Sequence, residues 1–274
     1  MNSSSPIDFL CIGAQKAGTS WLMFNLSFHP SVWTPKFVKE LHYFDCLYLN
    51  TAKKRIIQAY IKRGASWCGD DPGRISYFGQ IVDPSNAFTD EWYRHIFSFA
   101  PTGALKGECT PLYCALGNEG INHIKKLSPK LKIIYLVRDP IQRMLSSLRM
   151  SMERRRITDG QDLYSLLDNP LFRARGDYAH NMPRWESIFG KENILYIPFG
   201  KIKTDPSSLM RQVEAHLGIN SFSNYPRLKQ VVHPTSKTGI DISENILNRI
   251  EKIVEPQYAF LKQRFSSEFN QLIC

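Results

Sequence analysis

The sequence predicts an α/β fold in which helices flank a mainly parallel central sheet in three layers. Short apolar segments alternate with amphipathic segments along the chain, an order typical of parallel sheets that are covered on both faces. The first apolar segment, residues 7–13, lies close to the start of the chain and ends in glycine. Because we find no internal repeat and no low-complexity linker, we predict one domain over residues 1–274.

Each predicted element has its own local signal. The strands are expected at residues 7–13, 105–108, 132–137 and 193–198, and the helices at residues 18–28, 141–155, 205–217 and 245–265. Asp139 suits the cap of the second helix and Pro140 its first position, where a missing N–H costs nothing. Pro256 is expected to bend or interrupt the last helix. Residues 67–86, rich in glycine and proline, are expected to form an irregular surface loop.

Charge and cysteine usage narrow the classes of partner and compartment. The 274 residues include 35 Lys and Arg against 25 Asp and Glu, a net charge of +10. Such an excess favours anionic partners, among them phosphorylated cofactors and acidic glycans. The six cysteines form no C-x-x-C pair, which favours a reduced compartment over a disulfide or zinc framework. With no signal-peptide pattern and no apolar run of membrane-spanning length, we predict a cytoplasmic protein without a metal site.

Residues 13–20, Gly-Ala-Gln-Lys-Ala-Gly-Thr-Ser, separate the first strand from the first helix. In that position backbone N–H groups and the helix N-terminus can surround a phosphate. Lys16 adds a positive charge, and Thr19 and Ser20 add hydroxyl donors. The loop is not a Walker A motif, because its lysine precedes the second glycine instead of following it. The segment therefore predicts a nucleotide-phosphate site of another kind.

The same loop resembles the 5′-phosphosulfate loop of sulfotransferases that use 3′-phosphoadenosine 5′-phosphosulfate (PAPS). That loop reads approximately K-x-G-T-[ST]-x-L, and residues 16–22, Lys-Ala-Gly-Thr-Ser-Trp-Leu, fit it throughout. The resemblance implies a P-loop-like fold with PAPS as the cofactor. It also implies a cofactor site built from Gln15, Lys16, Ala17, Gly18, Thr19 and Ser20.

A second segment, far along the chain, is similar to the 3′-phosphate site of the same family. A strand runs into Arg138-Asp139-Pro140, and Ser146 follows on the next predicted helix. The resemblance implies that Arg138 and Ser146 bind the 3′-phosphate of the nucleotide. Two motifs in the family's order make a chance match of either one improbable.

Three shorter segments are similar to the heparan-sulfate N- and 3-O-sulfotransferase branch and its bacterial relatives. Residues 39–45, K-E-L-H-Y-F-D, are similar to its K-E-x-H-[FY]-F-D segment, and residues 107–113, G-E-C-T-P-L-Y, resemble its [GV]-E-K-T-P-x-Y segment. Residues 236–239 resemble the S-K-G-R loop that closes over the cofactor. This last match implies that Lys237 and Thr238 belong to the cofactor site.

The resemblance also implies catalytic roles. Sulfuryl transfer is analogous to phosphoryl transfer, in which catalysis is largely positioning and electrostatic stabilisation. Lys16 is expected to stabilise charge on the leaving oxygen, and Glu40 to deprotonate the acceptor as a general base. His42 would share a face with Glu40 in an extended segment, so we expect it to orient Glu40 or the acceptor. Asp45 is a weaker candidate that could be merely a helix cap.

One position departs from the family pattern. Cys109 stands where the related enzymes usually carry lysine in the E-K-T-P segment. A cation that could help to bind sulfate or acceptor is therefore missing, unless Lys106 or Lys36 replaces it. We interpret Cys109 as a small packing residue, because direct transfer needs no covalent intermediate.

Three functions compete at this stage. The first is transfer of a sulfuryl group from PAPS to a hydroxyl or amine of a glycan or small-molecule acceptor, without a metal, leaving adenosine 3′,5′-bisphosphate (PAP). The second is a P-loop kinase or NTPase, against which the misplaced lysine and the lack of a magnesium-binding aspartate count. The third is a non-catalytic protein that binds anionic glycan, and the net charge is the only observation that supports it. We find no nucleic-acid-binding module.

Overall fold

The structure, a computed structural model, describes residues 5–155, 160–230 and 242–274. Its centre is a five-stranded sheet with parallel strand pairs in the order β2-β3-β1-β4-β5. The strands are β1 (Phe9–Gly13), β2 (Val32–Trp33), β3 (Leu105–Cys109), β4 (Lys132–Val137) and β5 (Ile194–Pro198). All five residues of β1 are buried, so both faces of the sheet are covered. The predicted α/β fold with a parallel sheet is confirmed.

Helices make the connections between these strands. Those before β4 are α1 (Thr19–Leu26), α2 (Tyr43–Tyr48), α3 (Lys53–Cys68), α4 (Pro72–Val82), α5 (Asp90–Phe97) and α6 (Asn118–Leu127), with a 3₁₀ turn at Pro111–Ala115. Those after β4 are α7 (Pro140–Arg155), α8 (Gly160–Asp168), α9 (Pro170–Ala174), α10 (Tyr178–Phe189), α11 (Lys201–Thr204), α12 (Pro206–Leu217), α13 (Glu244–Arg264) and α14 (Ser267–Gln271), with a 3₁₀ turn at Lys191–Asn193.

The cap predicted for α7 forms as expected. The backbone N–H of Gln142 donates to Asp139 Oδ1 at 2.8 Å, and Pro140 is the first helical residue. This geometry satisfies one of the N–H groups that every helix start leaves without a partner. The cap fixes the direction in which the chain leaves β4, and with it the position of Arg138 at the end of that strand.

The irregular loop expected over residues 67–86 is wrong, because α3 reaches Cys68 and α4 covers most of the rest. Asp71 caps α4 by accepting a hydrogen bond from the backbone N–H of Arg74 at 3.0 Å. Helix α4 packs Phe78 against α3, where a Cβ on Gly64 would come within 2.0 Å of the Phe78 ring. The burial of this aromatic face therefore outweighs the poor helix propensity of the glycines.

The last long helix, expected over residues 245–265, forms with its ends shifted by one residue. Helix α13 continues from Glu244 to Arg264 with Pro256 inside it, so the proline does not interrupt it. Buried apolar residues on both sides of Pro256, Ile250 and Leu261 among them, anchor the helix against the rest of the chain. Tertiary packing of this face compensates for the hydrogen bond that proline cannot make.

The sheet topology determines where a ligand can bind. Strand β1 lies between β3 and β4. The chain that leaves β1 therefore runs toward the β2 edge of the sheet, and the chain that leaves β4 runs toward the β5 edge. In such sheets the carboxyl ends of the strands at this switch point enclose a crevice that holds ligands. The loop that follows β1 and the residues that follow β4 are the two predicted phosphate sites. Within the described ranges, none of the helices combines the length and apolar character that a membrane crossing requires.

Candidate active site

The loop after β1 has a backbone that only particular residues tolerate. Gly18 has a φ of 89°, and a Cβ there would lie 2.2 Å from Cδ1 of Ile202. The left-handed conformation therefore favours glycine, and a larger residue would also displace the end of the Ile202 side chain. Lys16 also has a positive φ, 70°, which is uncommon for a residue with a side chain. In this fully described segment no side chain caps the first turn of α1, which leaves N–H groups of the kind that bind anions at helix starts.

Arg138, at the end of β4, joins this loop directly. Its Nη1 donates a hydrogen bond to the backbone carbonyl of Lys16 at 2.7 Å, and its guanidinium lies over the ring of Phe199 at 4.5 Å. The hydroxyl of Tyr178 accepts from the Arg138 backbone N–H at 3.1 Å and donates to its carbonyl at 2.9 Å. The two predicted phosphate loops thus meet at one edge of the sheet.

The charges of this pair fit a polyanionic ligand. Burial and the neighbouring Arg138 lower the pKa of Lys16 below its usual range, and burial likewise lowers the pKa of Arg138. Nε of Arg138 is buried without a hydrogen-bond partner among the described residues. Two half-buried cations beside an open helix N-terminus form a donor set that matches the phosphates of a nucleotide.

Lys39 connects this phosphate side of the crevice to a carboxylate. Its ammonium lies 3.2 Å from Thr19 Oγ1 and 3.2 Å from Ser20 Oγ, at the start of α1. It also forms an ion pair of 2.9 Å with Glu40 Oε1. Lys39 lies in the segment similar to K-E-x-H-[FY]-F-D, but the sequence predicted no role for it, because no local pattern shows that its side chain reaches α1.

Neither lysine proposed as a substitute at Cys109 has this position. Nζ of Lys106 donates to the carbonyl of Ser5 at 3.2 Å, at the end of the sheet where β1 and β3 begin and away from the crevice. The side chain of Lys36 is exposed, and desolvation of the part that neighbouring residues cover lowers its pKa. Lys39 is the lysine that interacts electrostatically with the Cys109 thiol.

Glu40, His42 and Asp45 form a chain of ionic hydrogen bonds. Nε2 of His42 lies 3.3 Å from Glu40 Oε2, and Nδ1 lies 2.9 Å from Asp45 Oδ2. The segment is not extended at His42, which has a φ of 55°, yet the side chain of His42 still meets Glu40. Asp45 is not a cap: it lies inside α2 and is fully buried against the imidazole. Strained backbone of this kind is concentrated at functional sites.

The protonation states of this chain follow from its contacts. Burial opposes the charged imidazole, but hydrogen bonds to Asp45 and Glu40 outweigh it and raise the pKa of His42 to about 10. Burial likewise opposes ionisation of Glu40, but Lys39 and His42 hold the pKa of its carboxyl well below its usual range. Near neutral pH, His42 is therefore an imidazolium that donates two hydrogen bonds, and Glu40 is a carboxylate.

A buried carboxyl group supports this segment from below. Glu108, at 0% exposure, accepts hydrogen bonds from the hydroxyls of Thr110 (2.6 Å), Tyr93 (2.9 Å) and Tyr113 (3.1 Å). The backbone N–H of Leu41 donates to the same carboxyl at 3.4 Å. Burial raises the pKa of Glu108 to about 7, against the effect of these hydrogen bonds.

The hydroxyls on Glu108 in turn hold the backbone beside Glu40. The N–H of His42 donates to Thr110 Oγ1 at 3.3 Å, and the N–H of Tyr43 donates to Tyr113 Oη at 2.9 Å. This network was missed from the sequence, although Glu108, Thr110 and Tyr113 all lie in one quoted motif. Only the fold shows that side chains of this motif hold the backbone of residues 40–43 by hydrogen bonds.

The remaining predicted residues have different surroundings. Oε1 of Gln15 accepts from Nη1 of Arg175 at 3.5 Å, and Ala17 is buried beneath the loop. Ser146 lies on α7 and is 2% exposed, so its assignment to the 3′-phosphate stays a prediction. Lys237 and Thr238 lie outside the described residues. Arg175 was not anticipated, although it supplies another half-buried guanidinium near Gln15.

Comparisons with known proteins show which family and which relatives the chain is similar to. The model of the sulfotransferase family matches residues 8–224. The chain is 25% identical over 234 residues to bifunctional heparan sulfate N-deacetylase/N-sulfotransferase 2 of Bos taurus, covering 80% of this chain and 23% of that protein. It is 24% identical over 220 residues to heparan sulfate glucosamine 3-O-sulfotransferase 6 of Homo sapiens, covering 77% of this chain and 52% of that protein. It thus spans about a quarter and about half of these relatives.

Solved structures show the same fold. A sulfotransferase from Alicyclobacillus acidocaldarius superposes with a TM-score of 0.68 at 22% identity, over 96% of this chain and 98% of that one. The sulfotransferase domain of the olefin synthase from Synechococcus PCC 7002 superposes with a TM-score of 0.59 at 15% identity, over 94% and 97% of the two chains.

Proposed function

The chain belongs to the sulfotransferase family, and on that premise we propose that it transfers a sulfuryl group from PAPS to a hydroxyl or amine. The observation that carries this proposal is the hydrogen bond from Arg138 to the carbonyl of Lys16. It holds two cationic loops together at the carboxyl ends of β1 and β4, where one nucleotide with phosphates at two positions can contact both.

Donor binding is assigned to the backbone and side chains of these loops. The N–H groups and hydroxyls at the start of α1, together with Lys16, would hold the 5′-phosphosulfate. Arg138 would hold the 3′-phosphate, with Ser146 as its predicted partner on α7. The half-buried guanidinium of Arg138, which contacts the loop of Lys16, supports this assignment, because a guanidinium donates charge-assisted hydrogen bonds to phosphate oxygens.

The residues on the other side of the crevice suit proton removal from an acceptor. Glu40 is ionised, and 34% of its side chain is exposed, so an acceptor hydroxyl or amine can reach it. As the acceptor atom bonds to sulfur and the bond from sulfur to the 5′-phosphate oxygen breaks, Glu40 takes the acceptor proton. Lys16 stabilises the negative charge that remains on the phosphate oxygen of PAP.

His42 and Asp45 would position the base. The imidazolium donates to Glu40 from Nε2 and to Asp45 from Nδ1, which fixes the orientation of the Glu40 carboxylate. A group held in this way loses little conformational entropy when the acceptor binds. His42 is thus a positioning residue in this proposal, and Asp45 holds it.

A sugar is the proposed acceptor class. The curated relatives are named for heparan sulfate and its glucosamine, and the net charge of +10 favours an anionic glycan. Incubating the protein with labelled PAPS and candidate acceptors, among them de-N-sulfated and unsulfated heparan chains, tests this class by the label incorporated. A label found only on small molecules would contradict it.

Calorimetry tests the proposed donor independently of the acceptor. We expect PAP to bind in the presence of a metal chelator, and to bind more tightly than ATP, because the 3′-phosphate engages Arg138. ATP binding that requires magnesium, with no binding of PAP, would support a kinase or NTPase instead. Binding of neither nucleotide would contradict both enzymes.

A further inference from the structure

Lys39 lies at the junction between the donor and acceptor sides of the crevice. Its ammonium contacts the hydroxyls of Thr19 and Ser20, each at 3.2 Å, at the helix start assigned to the phosphosulfate. The same nitrogen lies 2.9 Å from Oε1 of Glu40, the group assigned to the acceptor. In an in-line displacement the sulfur lies between the leaving and the incoming oxygen, so a cation in contact with both groups lies beside the sulfur.

We propose that Lys39 is a catalytic residue that binds the oxygens of the transferring sulfuryl group. This inference rests on the proposed sulfuryl transfer and adds a second cation to it. Lys16 neutralises charge on the leaving phosphate oxygen, whereas Lys39 donates to an oxygen of the group that moves. Its ammonium has three N–H donors, enough to keep Glu40 while exchanging a hydroxyl contact for a sulfuryl oxygen.

The surroundings of Lys39 suit that role. Its side chain is 27% exposed, so the ammonium can be reached from the crevice. The ion pair with Glu40 raises the pKa of Lys39 above its usual range in spite of its burial. The ammonium is therefore charged near neutral pH, as an electrostatic role requires.

Cys109 lies close to Lys39. The thiol is fully buried at the end of β3, pairs across the strands with Cys11, and interacts electrostatically with Lys39. A longer basic side chain at residue 109 would extend toward the place that the Lys39 ammonium occupies. The related segments K-E-x-H-[FY]-F-D and E-K-T-P carry a lysine at each of the two positions, whereas this chain keeps only Lys39, so a lysine introduced at residue 109 tests whether a charge there can substitute for Lys39.

The first test compares the affinities for PAPS and PAP, which differ by the sulfuryl group alone. We expect Lys39→Met to weaken PAPS binding about tenfold, the loss of one charge-assisted contact, and to change PAP affinity by less than about twofold. Lys36→Met is the matched control, since it removes an exposed lysine from the same loop, and should leave both affinities unchanged. Circular dichroism establishes that each variant is folded.

The second test moves the charge. In the double variant Lys39→Met, Cys109→Lys, we expect the preference for PAPS over PAP to return to within about threefold of the wild-type value. The control is the double variant Lys39→Met, Cys109→Met, which places a long side chain at residue 109 without a charge. It should not restore the preference for PAPS over PAP. Should the Lys double variant fail to fold, Lys39→Arg alone is expected to retain most of the preference, because it keeps a cation there.

The outcomes separate this inference from the proposed function. A wild-type protein that binds neither PAPS nor PAP contradicts the sulfotransferase itself. Binding of both nucleotides, with Lys39→Met either leaving both affinities unchanged or lowering both equally, overturns only the role of Lys39. With an acceptor from the labelling experiment, kcat of Lys39→Met should fall about a hundredfold. An unchanged kcat would also overturn the role.

Discussion

Nη1 of Arg138 donates a hydrogen bond of 2.7 Å to the backbone carbonyl of Lys16, across the carboxyl ends of β4 and β1. The bond fixes the loop in which Lys16 has a positive φ of 70°. One guanidinium thus serves two purposes: it adds charge to the crevice and holds the neighbouring phosphate loop in shape. The two predicted phosphate motifs are thus joined by a direct hydrogen bond.

This coupling predicts non-additive effects on nucleotide binding. Lys16→Ala and Arg138→Ala should each weaken PAP binding by ten- to a hundredfold, and Lys16→Ala should also slow transfer. Because Arg138 orders the loop that presents Lys16, the double variant should lose less affinity than the product of the two single losses. Calorimetry of the four proteins measures the coupling. Lys130→Ala, an exposed change at the amino end of β4, is the control, and strict additivity would contradict a shared site.

Glu40→Gln should separate binding from chemistry. The amide keeps the size of the carboxylate but cannot accept a proton, so we expect kcat to fall at least a thousandfold. The affinity for PAP should change by less than about threefold, since Glu40 faces the acceptor side. Single-turnover transfer from labelled PAPS measures the rate, and calorimetry measures the affinity. A Glu40→Gln protein with substantial activity would show that another group removes the proton.

The pair of His42 and Asp45 predicts a specific dependence of stability on pH. The pKa of His42 is about 10 in the folded protein and about 6.5 in an unfolded chain. Its ionic contacts therefore stabilise the fold fully below about pH 6.5, and this contribution is lost as the pH rises through about 10. The difference in melting temperature between wild type and His42→Gln should thus shrink from pH 6 to pH 10.

The control for that measurement is His180, which pairs with Asp177 at 2.8 Å while 74% of its side chain is exposed. Because water screens such a pair, His180→Gln should change the melting temperature little at any pH.

Asp45→Asn is expected to lower kcat at least tenfold, since His42 would lose the contact that orients it. A fully active Asp45→Asn protein would rule out this positioning role.

Glu108 predicts a pH effect confined to the buried network. Its folded pKa of about 7 exceeds the unfolded value of about 4.3, so stability is lost as the pH rises from about 4.3 to 7. Glu108→Gln stays neutral throughout and should therefore gain stability relative to wild type between pH 5 and pH 8. Glu108→Leu should cost about 3 kcal/mol, because three hydroxyls and the N–H of Leu41 lose their acceptor. Chemical unfolding at both pH values measures these differences.

Some predictions that depend only on local sequence patterns agree with the structure. Strand β4 covers residues 132–137 as predicted, and Asp139 caps the helix that follows. The expected loop at residues 67–86 failed because glycine and proline were weighed without the partner helix that buries Phe78. The extent of the single domain, the cytoplasmic location and the roles of Lys237 and Thr238 stay predictions.

The alternation of strands and helices and the positions of the two predicted phosphate motifs can be read from the amino-acid sequence, because periodicity, caps and glycine placement act between near neighbours. Which charged groups meet depends on the folded chain. Lys39 contacts Thr19 and Ser20, and Glu108 supports Leu41, through approaches that depend on the order of strands in the sheet. Electrostatic and hydrogen-bond energies depend on distance in space, and distance along the chain does not reveal it.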